Sequence, residues 1–368
     1  MTDLDLSALR RWPDVESPEL VAVDATDRLI LDTAAEAIAA HPDGVLVIDD
    51  NYGALTLGAI ALGARGVRVH QDSIVAERAL AANAGERARE YRTVALDDEG
   101  FAGARVVLWQ LPRSLDRLDD VAHLISDAGG PETTVYAGGR IKHMTPRMNE
   151  VLGRYFDRVD VTHARQKSRV LVGSENAMVS CRGMLPDVRD EGAVRYLAAP
   201  GVFNGGRLDI GTRALLAVLD ELPDARTVVD LGCGSGILAA RLAQRYPDAD
   251  VIATDVSAAA VAAAARTAEL NGLPNVRVLR DDAGQGIPDS SVDLVLLNPP
   301  FHDGGAVHTG IASKLFASAA RMLRPGGELW TVYNSALAYR GELQRVVGPT
   351  RQVSRTPKFT VTSSTRQP

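Results

Sequence analysis

The stretch Thr227-Val228-Val229-Asp230-Leu231-Gly232-Cys233-Gly234-Ser235-Gly236 decides the fold. Its first half is apolar and β-branched, which reads as a buried strand. Its second half breaks into glycines, and an Ala-rich, helix-like run follows from Ile237 to Arg245. Strand, glycine turn and helix together open a doubly wound α/β sheet. The glycines permit a tight turn and close approach of the backbone to a ligand. The next strand, Val251-Ile252-Ala253-Thr254, ends in Asp255, placed to accept hydrogen bonds from ribose hydroxyls. The glycine spacing is G-x-G-x-G and departs from the dinucleotide pattern G-x-G-x-x-G. Asp230 in front of the loop suits a cationic ammonium better than a pyrophosphate. A third strand, Val276-Arg277-Val278-Leu279, leads to two further carboxylates, Asp281 and Asp282.

Downstream, the apolar run Leu294-Val295-Leu296-Leu297 ends in Asn298-Pro299-Pro300-Phe301. A polar Asn at the carboxyl end of a buried parallel strand sits where open α/β sheets bind ligands. The two prolines fix the backbone and remove two N–H donors while their carbonyls still accept. An aromatic ring follows. This set can hold a planar amine: the Asn oxygen and a carbonyl accept its hydrogens, and Phe301 stacks on its face. Taken with the glycines, it looks like the S-adenosyl-L-methionine site of a class I methyltransferase. Cys233 reads as a small packing residue, since nothing pairs with it as a nucleophile.

The first half of the chain carries a worn copy of the pattern. Val45-Leu46-Val47-Ile48-Asp49 lies over the strand of Asp230, with Asp49 opposite Asp230, Gly53 opposite Gly234, and Asn51 and Leu55 opposite Gly232 and Gly236. The strand Val67-Arg68-Val69-His70 runs to Asp72, opposite Asp255. Val106-Val107-Leu108-Trp109 runs to Gln110-Leu111-Pro112-Arg113, opposite the Asn-Pro-Pro-Phe string. A duplication in which the N-terminal copy lost cofactor binding accounts for this, leaving that copy to hold substrate or stiffen its partner. The expected domains are 1–185, degenerate, and 200–368, catalytic. A linker over 186–199 is expected where Pro186, Asp187, Arg189, Asp190, Glu191 and Gly192 interrupt the apolar pattern.

The chain has 368 residues, with 47 acidic against 40 basic residues and a formal net charge of −7. That length suits two domains with full cores. The mild acidity argues against indiscriminate nucleic-acid binding. Basic residues do cluster: Arg140, Lys142, Arg147, Arg154, Arg158, Arg165, Lys167 and Arg169 gather at the end of the first half, suited to phosphate contacts. Two cysteines, Cys181 and Cys233, supply neither a disulfide framework nor a zinc-ligand set, and no metal is expected. No signal peptide or apolar run long enough for a membrane span is visible, so a cytoplasmic protein is expected.

Asn298-Pro299-Pro300-Phe301-His302-Asp303-Gly304, with Val202-Phe203-Asn204 and Leu208-Asp209-Ile210-Gly211 upstream, resembles the bacterial rRNA (guanine-N2)-methyltransferases. Ile48-Asp49-Asp50-Asn51-Tyr52-Gly53-Ala54-Leu55, Gln71-Asp72-Ser73 and Leu111-Pro112-Arg113-Ser114-Leu115 resemble the large-subunit (23S) members more than the small-subunit (16S) ones. The resemblance implies two tandem Rossmann-like methyltransferase domains with only the second active. It implies methyl transfer from S-adenosyl-L-methionine to N2 of a guanine in rRNA. It also implies Asp230, Gly232, Gly234, Gly236, Asp255, Asp282 and Asn298 at the cofactor, with Asp282 on the adenine amine. Asn298, Pro299, Pro300 and Phe301 are the expected catalytic group. Phe203, Asp209 and His302 are expected over the cofactor or the entering base, with Asn204-Gly205-Gly206 as the turn of a lid.

Other readings use the same residues. Asn-Pro-Pro-aromatic strings also serve adenine N6 and protein glutamine methylation, since all are planar amines. A non-catalytic RNA-binding assembly factor is the reading of another class, which the intact glycines and Asn298 oppose. A nicotinamide-dependent dehydrogenase fails on the glycine spacing.

Overall fold

A computed structural model of the chain describes residues 5–179, 187–198, 208–300 and 306–368. The chain divides into two compact units, Met1–Leu185 and Pro186–Pro368. Phe203, Phe301 and His302, the Asn204-Gly205-Gly206 turn and Cys181 lie outside the described residues.

In the first unit the elements are α1 (Ala25–Ala40), β1 (Val45–Ile48), α2 (Ala54–Ala61), β2 (Val67–His70), α3 (Ile74–Ala84), β3 (Tyr91–Thr93), α4 (Asp98–Phe101), β4 (Val106–Gln110), α5 (Leu115–Ala128), β5 (Thr134–Arg140), α6 (Pro146–Leu152), β6 (Phe156–Val161) and β7 (Ser168–Asn176). Among the described residues they build a seven-stranded sheet in the order β3-β2-β1-β4-β5-β7-β6. The first five strands are parallel, and β7 and β6 close the edge antiparallel.

The second unit starts with the hairpin β8 (Asp187–Glu191) and β9 (Val194–Ala198). It continues with α7 (Ile210–Leu216), β10 (Thr227–Leu231), α8 (Ile237–Arg245), β11 (Asp250–Asp255), α9 (Ala258–Leu270), β12 (Val276–Arg280), β13 (Val292–Leu297), α10 (Ala306–Met322), β14 (Leu323–Asn334), α11 (Arg340–Val346), β15 (Thr350–Arg355) and β16 (Phe359–Thr365). Its main sheet has the order β12-β11-β10-β13-β14-β16-β15, the same topology as the first. Both are methyltransferase-type, Rossmann-like sheets with helices on both faces. That covering explains the unbroken apolar strands, since β1 and β13 are buried at every position.

Residues 187–198, within the segment expected as a linker, are a folded part of the second unit. Val194, Tyr196 and Ala198 of β9 are buried against Ile237 and Ala240 of α8. Backbone amides of Arg195 and Leu197 donate to Asn271 Oδ1 (3.0 Å) and Thr267 Oγ1 (3.2 Å). The charged residues that interrupted the apolar pattern belong to β8 and its turn, while β9 alternates buried and outward residues.

Strand register corrects the internal alignment. Ile48 pairs with Trp109 in one unit and Leu231 with Leu297 in the other, one residue before Gln110 and Asn298 respectively. On that footing Asp49 stands opposite Gly232, Asn51 opposite Gly234 and Gly53 opposite Gly236. The backbone agrees: φ is +53°, +59° and +98° at the first trio and +81°, +53° and +79° at the second. Val47, not Asp49, therefore matches Asp230. Gln71, not Asp72, matches Asp255, because Ile48 pairs with His70 as Leu231 pairs with Thr254. The sequence alignment anchored on the wrong aspartate. Asp and Asn are the non-glycine residues that best tolerate left-handed backbone, so the turn survived loss of two glycines.

The last glycine of each trio is fixed by packing. A Cβ on Gly236 would lie 2.8 Å from Cα of Ala264 in α9, and one on Gly53 would lie 2.8 Å from Leu80 Cδ1 in α3. Gly236→Ala combines left-handed strain with a backbone clash, a cost of about 1–3 kcal/mol for the strain alone. The thermal midpoint is expected to fall by roughly 5 °C or more. An unchanged midpoint in a calorimetric scan would show that α8 and α9 can separate here at no cost.

Candidate active site

Among the described residues, Asp230, Gly232, Gly234, Gly236, Asp255, Asp282 and Asn298 lie at or just beyond the carboxyl ends of β10, β11, β12 and β13. Asn298 follows β13 directly and is half-buried, Pro299 is buried and Pro300 exposed. The strand end is pinned by Thr331 Oγ1 of β14, which donates to the carbonyl of Leu297 at 3.0 Å.

The orientation of the Asn298 amide is set by α7. Its Nδ2 donates to Asp209 Oδ2 (2.8 Å) and to Thr212 Oγ1 (3.0 Å). A carboxylate only accepts, so the nitrogen must face Asp209 and the amide oxygen must face away. That oxygen, Oδ1, is buried and has no hydrogen-bond partner. An orphaned buried acceptor is uncommon and calls for an explanation. Asp209, expected over the cofactor or the entering base, caps α7 by accepting from the Thr212 amide at 2.9 Å and holds the Asn298 amide in place. Thr212 was missed in the sequence. Its signal was there, as the spacing Asp-x-x-Thr at a helix start repeats the Asp24-x-x-Asp27 of α1.

The glycine turn leaves room beside it. A Cβ on Gly232 would meet nothing within 4 Å, whereas Gly236 is packed against α9. Asp255 reaches back into the turn, its Oδ2 accepting from the Gly234 amide and its Oδ1 from the Ser257 amide, both at 3.0 Å. These two bonds fix the side chain at the end of β11.

Asp230 sits deeper than a loop residue would. It lies inside β10 and is only 1% exposed. Its Oδ2 accepts from the Ala239 amide in the first turn of α8 at 2.9 Å, supplying a cap that Gly236 cannot. Its Oδ1 is buried without a partner. Burial pushes its pKa up to about 7, against the pull of the Ala239 hydrogen bond and with a smaller push from Asp255.

Asp281 and Asp282 separate cleanly. Asp281 is consumed by its own loop, accepting from the amides of Asp282 (2.7 Å) and Gly286 (2.8 Å). Asp282, only 3% exposed, is paired with Lys314 Nζ of α10 at 2.6 and 2.7 Å. Lys314 carried no signal in the sequence, because it reaches Asp282 only through the packing of α10.

Residues 193–363 match the Methyltransferase small domain family and residues 1–177 match the RLMG N-terminal domain family. The chain is 34% identical to a ribosomal RNA large subunit methyltransferase G of Streptomyces avermitilis, covering 96% of this chain and 95% of the relative. The chain belongs to the ribosomal RNA large subunit methyltransferase G family. A Shewanella amazonensis member is 31% identical, over 96% of this chain and 94% of its own length. The fold also matches a solved T. thermophilus 16S rRNA N2 methyltransferase, in complex with AdoMet and guanosine. The TM-score is 0.77 at 24% identity, covering 94% of this chain and 92% of that one. No described helix is long and apolar enough to cross a membrane.

The burial of Asp230 has a pH consequence. Folding raises its pKa, so the protonated carboxyl favours the folded state. That contribution is complete below roughly pH 4 and is lost as pH rises through about 7. Asp230→Asn removes the titration. In cofactor-free protein, the thermal midpoint of the wild type minus that of the variant is expected to fall from about pH 4 to about pH 7 and to level off above that. Parallel curves across that range would contradict the assignment.

Proposed function

We propose that the chain transfers a methyl group from S-adenosyl-L-methionine to the exocyclic N2 of a specific guanine in 23S rRNA, with the second unit catalytic and the first serving the RNA. The observation that carries this is the orphaned Asn298 Oδ1, a buried acceptor aimed away from α7 with no partner of its own. An exocyclic amine is the complementary donor.

The residues fit the cofactor. Gly232 offers open space where a side chain would stand. Asp230 Oδ1 is an unpartnered acceptor under the turn, suited to an ammonium. Asp255 lies at the end of β11 for ribose hydroxyls, and Asp282, steadied by Lys314, is an acceptor for the adenine amine. When bound, S-adenosyl-L-methionine supplies a methyl group activated by a sulfonium.

The chain's own contribution is positioning. Asn298 Oδ1 and the Pro299 carbonyl accept the two amine hydrogens and direct the nitrogen lone pair toward the methyl. Asp209 and Thr212 stop the amide from rotating. Phe301, outside the described residues, would stack on the base, and His302 beside it in sequence is a candidate for substrate or lid contact. A guanine paired in a helix has to be flipped out to reach this site. In the transfer the methyl–sulfonium bond would break as the N–C bond forms, leaving a neutral thioether, and the nitrogen would lose one proton to water, so no charged side chain is needed as an obligate base.

Full-length likeness to large-subunit enzymes supports 23S over 16S rRNA as substrate. The guanosine in the T. thermophilus structure supports guanine over adenine or glutamine. The reaction belongs in the cytoplasm, where rRNA is made.

The test is a methylation assay with labelled S-adenosyl-L-methionine on protein-free 16S and 23S rRNA and on both subunits, followed by nucleoside analysis. N2-methylguanosine in 23S rRNA is the expected product; the same nucleoside in 16S rRNA alone would overturn the substrate, and a different modified residue would overturn the chemistry. Asn298→Ala is expected to lower kcat by about 100-fold or more with cofactor affinity nearly unchanged. Thr212→Val, which removes one of two restraints on the amide, is expected to lower kcat by roughly 3- to 10-fold. Equal kcat in Thr212→Val and wild type would show that Thr212 is not needed to set the amide. Asp255→Ala is expected instead to weaken cofactor binding by about 10-fold or more, read by calorimetric titration.

A further inference from the structure

The first unit holds a cavity of about 480 Å3 at the place where the second unit carries its site. That volume is in the range of small-ligand pockets. Its two halves have diverged differently.

The half that corresponds to the cofactor is plugged. Asp49 replaces Gly232, and Arg117 grips its carboxylate through three hydrogen bonds of 3.0–3.2 Å. Arg117 is buried, so this pair occupies space that the second unit leaves open.

The half that corresponds to the base is kept. Gln110 stands where Asn298 stands, one residue beyond the pairing of β4 with β1. Its Nε2 donates to Asp27 Oδ1 in the first turn of α1, just as Asn298 Nδ2 donates to Thr212 in the first turn of α7. Asp27 also accepts from the Asp24 amide at 2.8 Å, so it is an acceptor on both oxygens and fixes which way the Gln110 amide faces. The amide oxygen is thereby turned away from α1, and Gln110 lines the cavity. Leu111 and Met144 add apolar surface to the wall.

The rim carries two arginines and an imidazole against one carboxylate. Arg113 and His143 are exposed at the cavity edge, and Arg140 lines it with its Nη1 on Asp24 Oδ2 (3.4 Å) and its Nε buried without a hydrogen-bond partner. Burial, and then the charges of Arg113, Lys142 and Arg140, hold His143 below the usual imidazole range. The imidazole is therefore neutral near pH 7 and offers one N–H donor beside the two guanidinium groups. An amide acceptor inside, an apolar wall beside it and guanidinium and imidazole N–H donors at the rim fit a nucleotide: base edge, base face and phosphate.

We propose that this cavity seats an unstacked nucleotide of the RNA substrate, its base edge at Gln110 and its phosphate at Arg113, Arg140 and His143, with no chemistry performed on it. This rests on rRNA being the substrate. The plug at Asp49 and Arg117 is what makes the pocket a reader instead of a second active site.

The full chain is titrated with a short single-stranded oligoribonucleotide and, separately, with guanosine 5′-monophosphate. Gln110→Ala removes the base contact without changing charge. Met144→Trp fills the cavity from its half-buried wall, also without changing charge, and stands in if Gln110→Ala fails to fold. Arg113→Ala removes one rim cation. Stacking and base-edge contacts are worth about 1–3 kcal/mol each, so Gln110→Ala and Met144→Trp are each expected to weaken oligonucleotide binding by about 10-fold. The KM for rRNA should rise with them, while kcat and S-adenosyl-L-methionine affinity stay at wild-type values. Wild-type affinity in both neutral variants, with loss only in Arg113→Ala, overturns the pocket and leaves a non-specific basic rim. Binding of the mononucleotide as tight as that of the oligonucleotide overturns RNA as its source and points to a free nucleotide. Because binding is read apart from methylation, failure of the wild type to methylate any rRNA would strike the proposed reaction and leave the pocket to be judged on the titrations.

Discussion

Three left-handed residues after the central strand are the constraint on which each unit depends. They reverse the chain in the space between strand and helix, and they let α8 lie against α9 at a distance no side chain on Gly236 would permit. They also leave the first helical amides without a side-chain cap. Each unit meets that need with a buried carboxylate from a different position. Asp230 reaches Ala239 from inside β10, while Asp50 takes the amides of Leu55 and Thr56 from within the turn itself. The same backbone requirement has been met by two unrelated residues, which is how a duplicated fold drifts in sequence while keeping its shape.

The site follows from that geometry. With the turn fixed, the ends of β10, β11 and β13 stand side by side, and the chemistry depends on how few groups are left unsatisfied there. Asn298 is satisfied on its nitrogen and bare on its oxygen; Asp230 is satisfied on one oxygen and bare on the other. Leaving a buried acceptor unpaired costs about 1–3 kcal/mol, a cost that complementary donors on bound ligands remove. Under the proposed reaction, stability is traded for binding at these two atoms.

The first unit shows which parts of such a site can be lost independently. A single Gly-to-Asp difference at the position of Gly232, with Arg117 drawn onto it, closes the cofactor half. The amide clamp needs only α1, β4 and their contact, and it persists as Gln110 on Asp27. The two halves rest on different elements, so one can close without disturbing the other.

Sequence alone determined what is local. Glycine spacing, the apolar strand before Asn298 and the rigidity of two prolines are short-range properties, and they fixed fold class and reaction chemistry. Tertiary structure decided whatever depends on residues far apart in the chain. The direction of the Asn298 amide is imposed from Asp209 and Thr212, and the partner of Asp282 arrives on α10. The internal register was misjudged because aspartate matched aspartate by letter, whereas strand pairing aligns residues by backbone position and φ. The same limit hid the β8–β9 hairpin, whose charged strand resembles a linker until β9 is seen packed on α8. A hydrogen bond across many tens of residues leaves no periodicity in the sequence, so only the folded chain reveals which atoms it has left for a ligand.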